Sequence, residues 1–222
     1  MSGVVLLDAL GTLVELQPPA PRLRTLLAAE GLSVSEERAG AAFRAEISYY
    51  LDHHLEGSTR EGLADLRDRC AATLLEALGV QGLDHAAARR AMLGALEFTA
   101  FPDAAPALKA LRAEGRRLAI VSNWDCSLED WLEPSGLIGL VDEVVTSAAA
   151  GAAKPDPAIF ARALELLSGE AAGATHVGDS LDKDVDGARA AGIRPVLVYR
   201  GGGRPPAGVQ AIRSLAELPS LL

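Results

Sequence analysis

Between Asp103 and Tyr199 the sequence alternates between two patterns. Short apolar runs (Arg117–Val121, Glu143–Thr146, Thr175–Val177 and Pro195–Tyr199) are separated by stretches of helical character (Ala104–Glu114, Ser127–Glu133, Ala158–Leu167 and Asp182–Ala191, the last closed by Gly192). Strands spaced by helices of about 10–15 residues read as βαβ units, which build a parallel sheet covered by helices. Right-handed crossovers then bring the carboxyl ends of all the strands to one edge.

The chain opens with one more such strand. Val4, Val5, Leu6 and Leu7 read as a short strand buried on both faces, and Asp8 follows at once, before Gly11 and Thr12. In an open parallel sheet the carboxyl end of a strand is where ligands bind. A carboxylate there is costly unless a cation or hydrogen-bond donors meet it. Taken alone, Asp8 could equally cap a turn.

The next stretch does not belong to the sheet. The proline cluster Gln17–Pro21 is expected to be a hinge that continues neither strand nor helix. From Arg22 to Phe98 the pattern is helical. Ser33 and Glu36 are expected to form a capping box before a helix over Glu37–Leu55. Leu63, Leu66, Cys70, Leu74 and Leu78 recur at helical spacing and stop at Gly79, and Asp84 caps a helix over His85–Glu97. Phe101-Pro102-Asp103 returns the chain to the sheet. The expected architecture is therefore α/β: a Rossmann-like parallel-sheet core of residues 1–16 and 100–222, with an inserted all-helical cap domain over residues 17–99.

Composition narrows the partners. Aromatic residues make up only 4% of the chain, so its core must be built from Ala, Leu and Val. A net charge of −9 argues against nucleic acid or an acidic membrane surface, both of which call for a basic face. Cys70 and Cys126 lie too far apart in sequence to form a metal or redox pair motif and read as reduced thiols. No basic leader precedes an apolar run, and no apolar run reaches membrane length. The expectation is a cytoplasmic protein acting on a small molecule. Nothing in the pattern speaks to its oligomeric state.

Polar residues stand at three strand ends, and a fourth polar segment carries a lysine: Asp8, Ser122-Asn123, Lys154, and Gly178-Asp179-Ser180 with Asp184. Singly, each has a plain reading as a turn, a cap or a surface lysine. Together and in this order they resemble the haloacid dehalogenase (HAD) superfamily, over nearly the whole chain. Val121–Asp125, Thr146–Gly151 and Lys154–Pro157 are most similar to its REG-2/HDHD3-like branch.

The resemblance implies a mechanism. Asp8 would be the nucleophile, forming a covalent aspartyl intermediate, with Lys154 and Ser122 as its catalytic partners. Mg²⁺ would be held by Asp8, the backbone carbonyl of Leu10 and Asp179, with Asp184 completing the metal set by holding magnesium-bound water, or else orienting Lys154. Gly11, Thr12 and Asn123 would contact the transferring group. Arg44, in Ala42-Phe43-Arg44, resembles the cap arginine of dehalogenases and would contact substrate.

One position departs from the pattern. Phosphatases of the superfamily carry a second Asp where this chain has Leu10, and that Asp protonates the leaving alcohol. Loss of a positioned general acid costs about 10²–10⁴-fold in rate. The residues thus describe a Mg²⁺-dependent phosphohydrolase of a small phosphorylated metabolite without its usual general acid. It would be slow, or suited to leaving groups that need no proton. A 2-haloacid dehalogenase is the alternative, since halide leaves unprotonated, but dehalogenases lack the acidic pair Asp179 and Asp184. A non-catalytic binding protein on the same fold is the third reading. A phosphonate hydrolase is excluded, because Lys109, Lys154 and Lys183 are the only lysines and none falls in the cap.

Other features carry less. His53 and His54 are neighbours on a helix, point about 100° apart and read as packing or solvated residues. Cys126 reads as an inert thiol. Gly201-Gly202-Gly203 precedes no helix and so is a loop, not a phosphate cradle. Glu36, Glu37 and Arg38 read as a solvated helix face.

Overall fold

Val4, Val5, Leu6 and Leu7 form β1 (Val4–Leu7), and all four are buried, as a strand with helices over both faces requires. The computed structural model describes residues 3–222. It divides into two units, Met1–Glu15 with Thr99–Leu222, and Leu16–Phe98.

The first unit is the α/β unit. After β2 (Val14–Leu16) and β3 (Phe98–Ala100) come β4 (Arg117–Ser122), β5 (Glu143–Thr146), β6 (Ala174–Gly178), β7 (Arg194–Val198) and β8 (Gln210–Ile212). Six of these form one sheet in the order β5-β4-β1-β6-β7-β8, and every neighbouring pair is parallel. β1 lies between β4 and β6, with Leu7 opposite Ile120 on one side and Val177 on the other. That register sets Asp8, Ser122 and Gly178 at adjacent strand ends. One face packs Val4, Leu6, Ala119, Val121 and Val145 against Ile159, Phe160 and Ala163 of the helix Pro157–Leu166. This is the small-residue, Ala/Val/Leu core that a chain poor in aromatics must use. β2 and β3 pair with each other, so the chain leaves and re-enters the unit along a two-stranded ribbon.

The second unit is helical: α1 (Pro19–Ala29), α2 (Glu36–His53), α3 (Arg60–Leu78) and α4 (His85–Ala95). Its core is a Leu-rich cluster from all four helices, including Leu23, Leu27, Phe43, Leu66, Leu74 and Met92. Gly79 ends α3 with a left-handed φ of 56°, and Asp84 caps α4 by accepting from the Ala87 N–H at 2.7 Å.

Two local expectations are corrected. The proline cluster is not a hinge without structure, because α1 starts at Pro19. Proline is tolerated in the first turn, where its missing N–H has no intrahelical partner to lose. The cap of α2 is Ser35, whose hydroxyl accepts from the Arg38 N–H at 3.2 Å, and not Ser33. Among the described residues, no helix is long and apolar enough to cross a membrane.

Candidate active site

The chain turns sharply after Asp8. The Ala9 carbonyl accepts from the N–H groups of Leu13 (2.8 Å) and Val14 (3.0 Å), and Gly11 N–H donates to the Val14 carbonyl at 2.8 Å. Gly11 has a φ of +86°, which a side chain would strain. This tight loop leaves Asp8 buried at the sheet edge, with Leu10 turned outward and 41% exposed.

Lys154 is buried as well, and its ammonium donates to Asp8 Oδ1 and to Asp184 Oδ1, both at 2.6 Å. Ser122 Oγ donates to the same Asp8 oxygen at 3.1 Å. The lysine is held from behind by Asn123, whose Oδ1 accepts from the Lys154 N–H at 2.7 Å while its Nδ2 donates to the Lys154 carbonyl at 2.9 Å. That pairing defines the amide's orientation. Asn123, expected to contact the transferring group, thus spends its amide on the Lys154 backbone and orients the lysine.

Asp184 arrives through an irregular helix. After β6, residues Leu181–Asp186 form a wide helical turn, in which the N–H groups of Asp184 and Val185 both donate to the Ser180 carbonyl at 3.1 Å. Wide turns of this kind concentrate at functional sites. Here the turn folds the Asp184 carboxylate back over Gly178, where Oδ2 accepts from the Ser180 N–H at 2.9 Å. Oδ1 also meets His176 Nε2 at 2.9 Å. His176 is wholly buried and packs edge-on against Phe160. With a carboxylate as acceptor, Nε2 carries the proton. Sequence reasoning overlooked this residue, although a histidine within the apolar run Thr175–Val177 was the visible signal.

Ligand atoms of Asp8, Asp179 and Asp184 all lie within 4.8 Å of one another, an arrangement that could hold a metal ion. The electrostatics are short of positive charge. Burial pushes the Asp8 carboxyl up against the lowering pull of Lys154, and Asp184 adds to the rise. Burial raises Asp179 too, again with Asp184 contributing. For Asp184 burial acts upward but is outweighed by Lys154 and His176, which hold its carboxyl below the usual range. Burial acts to lower the Lys154 ammonium, and Asp8 and Asp184 more than offset it. Burial lowers His176, with the Asp184 hydrogen bond opposing. Three carboxylates share one hydrogen-bonded ammonium, so an oxygen-seeking cation fits the set.

Thr12 is fully buried in the loop, and its hydroxyl has no partner among the described residues. Arg44 occupies an exposed position of α2 in the helical unit, and every residue of the carboxylate set belongs to the α/β unit.

The α/β unit is thus a parallel sheet that gathers a strand-end carboxylate, a lysine bound to it and two further acids. The model of the haloacid dehalogenase-like hydrolases matches residues 3–192, and the chain belongs to that family. It is 46% identical over 114 residues to haloacid dehalogenase-like hydrolase domain-containing protein 3 of Bos taurus, covering 51% of this chain and 45% of that protein. The chain thus spans about half the length of the curated relatives it matches. Over its full length it is similar to a HAD phosphatase from Thermococcus onnurineus (28% identity, 97% of that chain, TM-score 0.69). It also resembles a 2-haloacid dehalogenase from Pseudomonas syringae pv. Tomato DC3000, a likeness of fold (24% identity, 100% of this chain, 98% of that one, TM-score 0.70).

Proposed function

We propose that the chain is a Mg²⁺-dependent phosphohydrolase acting on a small phosphorylated metabolite through an aspartyl-phosphate at Asp8. The observation that carries this reading is the deficit of positive charge among Asp8, Asp179 and Asp184, whose ligand atoms lie within 4.8 Å of one another. The set, with the Leu10 carbonyl, would hold Mg²⁺, which when bound neutralises negative charge on the phosphoryl group and the carboxylates.

Asp8 attacks phosphorus, forming a P–O bond as the bond to the leaving oxygen breaks. Water then hydrolyses the aspartyl-phosphate, releasing inorganic phosphate and restoring the carboxylate. Lys154 offsets the charge on Asp8 and on the oxygens in flight, and Ser122 orients Asp8 through Oδ1. The unpartnered Thr12 hydroxyl and the Gly11 backbone are available to the phosphoryl oxygens. Leu10 supplies no proton, so leaving groups that depart as stable anions are favoured, aryl and acyl phosphates among them.

Asp8→Asn should abolish Mg²⁺-dependent hydrolysis of p-nitrophenyl phosphate in a folded protein. Asp179→Ala should weaken Mg²⁺ binding and remove the same activity. Wild-type turnover in folded Asp8→Asn would refute the covalent mechanism. The presence of Leu10 favours a second reading, a 2-haloacid dehalogenase, which halide release insensitive to a chelator would support instead.

A further inference from the structure

We propose that Arg200 is a positioning residue that holds the loop carrying Asp8 in register through the main chain of Thr12. Arg200 lies just beyond β7, far in sequence from Asp8 and outside the carboxylate set. Its Nη2 donates to the Thr12 carbonyl at 2.9 Å and to Asp103 Oδ1 at 3.0 Å, and its Nη1 donates to Asp103 Oδ2 at 2.9 Å. The guanidinium lies 3.8 Å from the centre of the Phe101 ring. Asp103 is itself anchored, accepting on Oδ2 from Ser214 Oγ at 2.7 Å and from the Leu215 N–H at 2.9 Å.

The chain of contacts therefore runs from the C-terminal segment, through Asp103 and Arg200, to the carbonyl of Thr12. A second link ends on the next residue, where Phe101 N–H donates to the Leu13 carbonyl at 3.0 Å. Both grip the loop that turns back on Ala9, four and five residues beyond Asp8. The opposite side of that loop has no slack, because Gly11 already abuts Asp179. A planar fork stacked on a ring and bonded on two sides is work for arginine, and lysine cannot reproduce it. Misplacing a reacting group by about 1 Å costs on the order of 100-fold in rate.

This inference rests on the phosphohydrolase reading for its kinetic arm only. Arg200→Ala, Arg200→Lys and Asp103→Asn are compared with wild type in p-nitrophenyl phosphate hydrolysis with Mg²⁺ and in backbone hydrogen exchange. In the folded fraction kcat should fall by roughly 10- to 100-fold with KM within about twofold, and Arg200→Lys should recover only part of the loss. The Leu13 and Val14 amides should exchange faster, while the Asp8 amide, bonded to the Val177 carbonyl, is unchanged. Should Arg200→Ala fail to fold, Arg200→Lys and Asp103→Asn carry the same expectations. Unchanged exchange at Leu13 and Val14 overturns the proposal, as does an unchanged kcat in an active folded variant. If wild type shows no Mg²⁺-dependent turnover, the phosphohydrolase reading falls and exchange alone decides the role of Arg200.

Discussion

A methyl group on the α-carbon of Gly11 would lie 2.1 Å from Oδ2 of Asp179. The same relationship recurs beside it, where a methyl on Gly178 would meet Cγ of Asp184 at 2.1 Å. Two glycines thus let two carboxylates close on Asp8. Their small size is a requirement of the site and not of the sheet.

Gly11→Ala should therefore damage the site more than the fold. The φ of +86° alone imposes strain of about 1–3 kcal/mol on a residue with a side chain. The collision adds a displacement of Asp179. Mg²⁺ affinity, measured by titration calorimetry, should drop together with kcat, in a protein that still melts cooperatively. Wild-type Mg²⁺ affinity in the folded variant would separate Asp179 from metal binding.

Leu10→Asp tests the missing general acid. Leu10 is 41% exposed, so a carboxyl group there can be solvated and the fold should tolerate it. Turnover of an alkyl phosphate should rise more than that of p-nitrophenyl phosphate, whose phenolate leaves unaided. The gain is bounded at about 10²–10⁴-fold and should be smaller, because nothing in the site tunes the new pKa. Equal gains on both substrates, or none, would show that proton supply does not limit this site.

Glu46 makes the helical unit sensitive to pH. It is buried on α2, and burial pushes its carboxyl from an ordinary 4.5 up to about 7, with a Cys70 hydrogen bond opposing. Between those values the folded protein binds more protons than the unfolded chain, so stability falls as pH rises from 4.5 to 7 and then levels off. The contribution lost is roughly 3 kcal/mol at most. Melting temperature should drop from pH 5 to pH 8 in wild type, and Glu46→Gln should remove most of that drop. An identical pH slope in the two proteins would show that Glu46 is ionised throughout.

The sheet was legible because its strands are apolar runs punctuated by glycine and polar residues, and periodicity carries that signal. Three-residue strands such as β2, β3 and β8 hold too few residues to show any period. Asp8, Lys154, Asp179 and Asp184 stood out only together, as charged residues at strand ends and in the segments after them, in the order the family shows. Orientation within the site was not legible. That Asn123 serves the Lys154 backbone depends on two loops meeting in space. The fold of Asp184 over Gly178 depends on a wide turn whose sequence, Leu181–Asp186, reads like any polar helix start. The burial of Glu46 was not legible, since it depends on how α2 packs against its neighbours. Arg200 lay in a glycine-rich loop that the sequence marked only as a loop.

The position of β1 between β4 and β6 has a consequence for synthesis. During synthesis β1 waits for residues 117–122 before it gains one neighbour, and for residues 174–178 before it gains the other. Until then Asp8 has neither Lys154 nor Asp184 beside it, and its apolar strand lacks a partner on at least one edge. Pairings this distant in sequence form late and slowly, and an unfinished chain exposes a sticky edge. Stalled or truncated products ending before β6 should therefore be substrates for chaperones and proteases, and never partial enzymes.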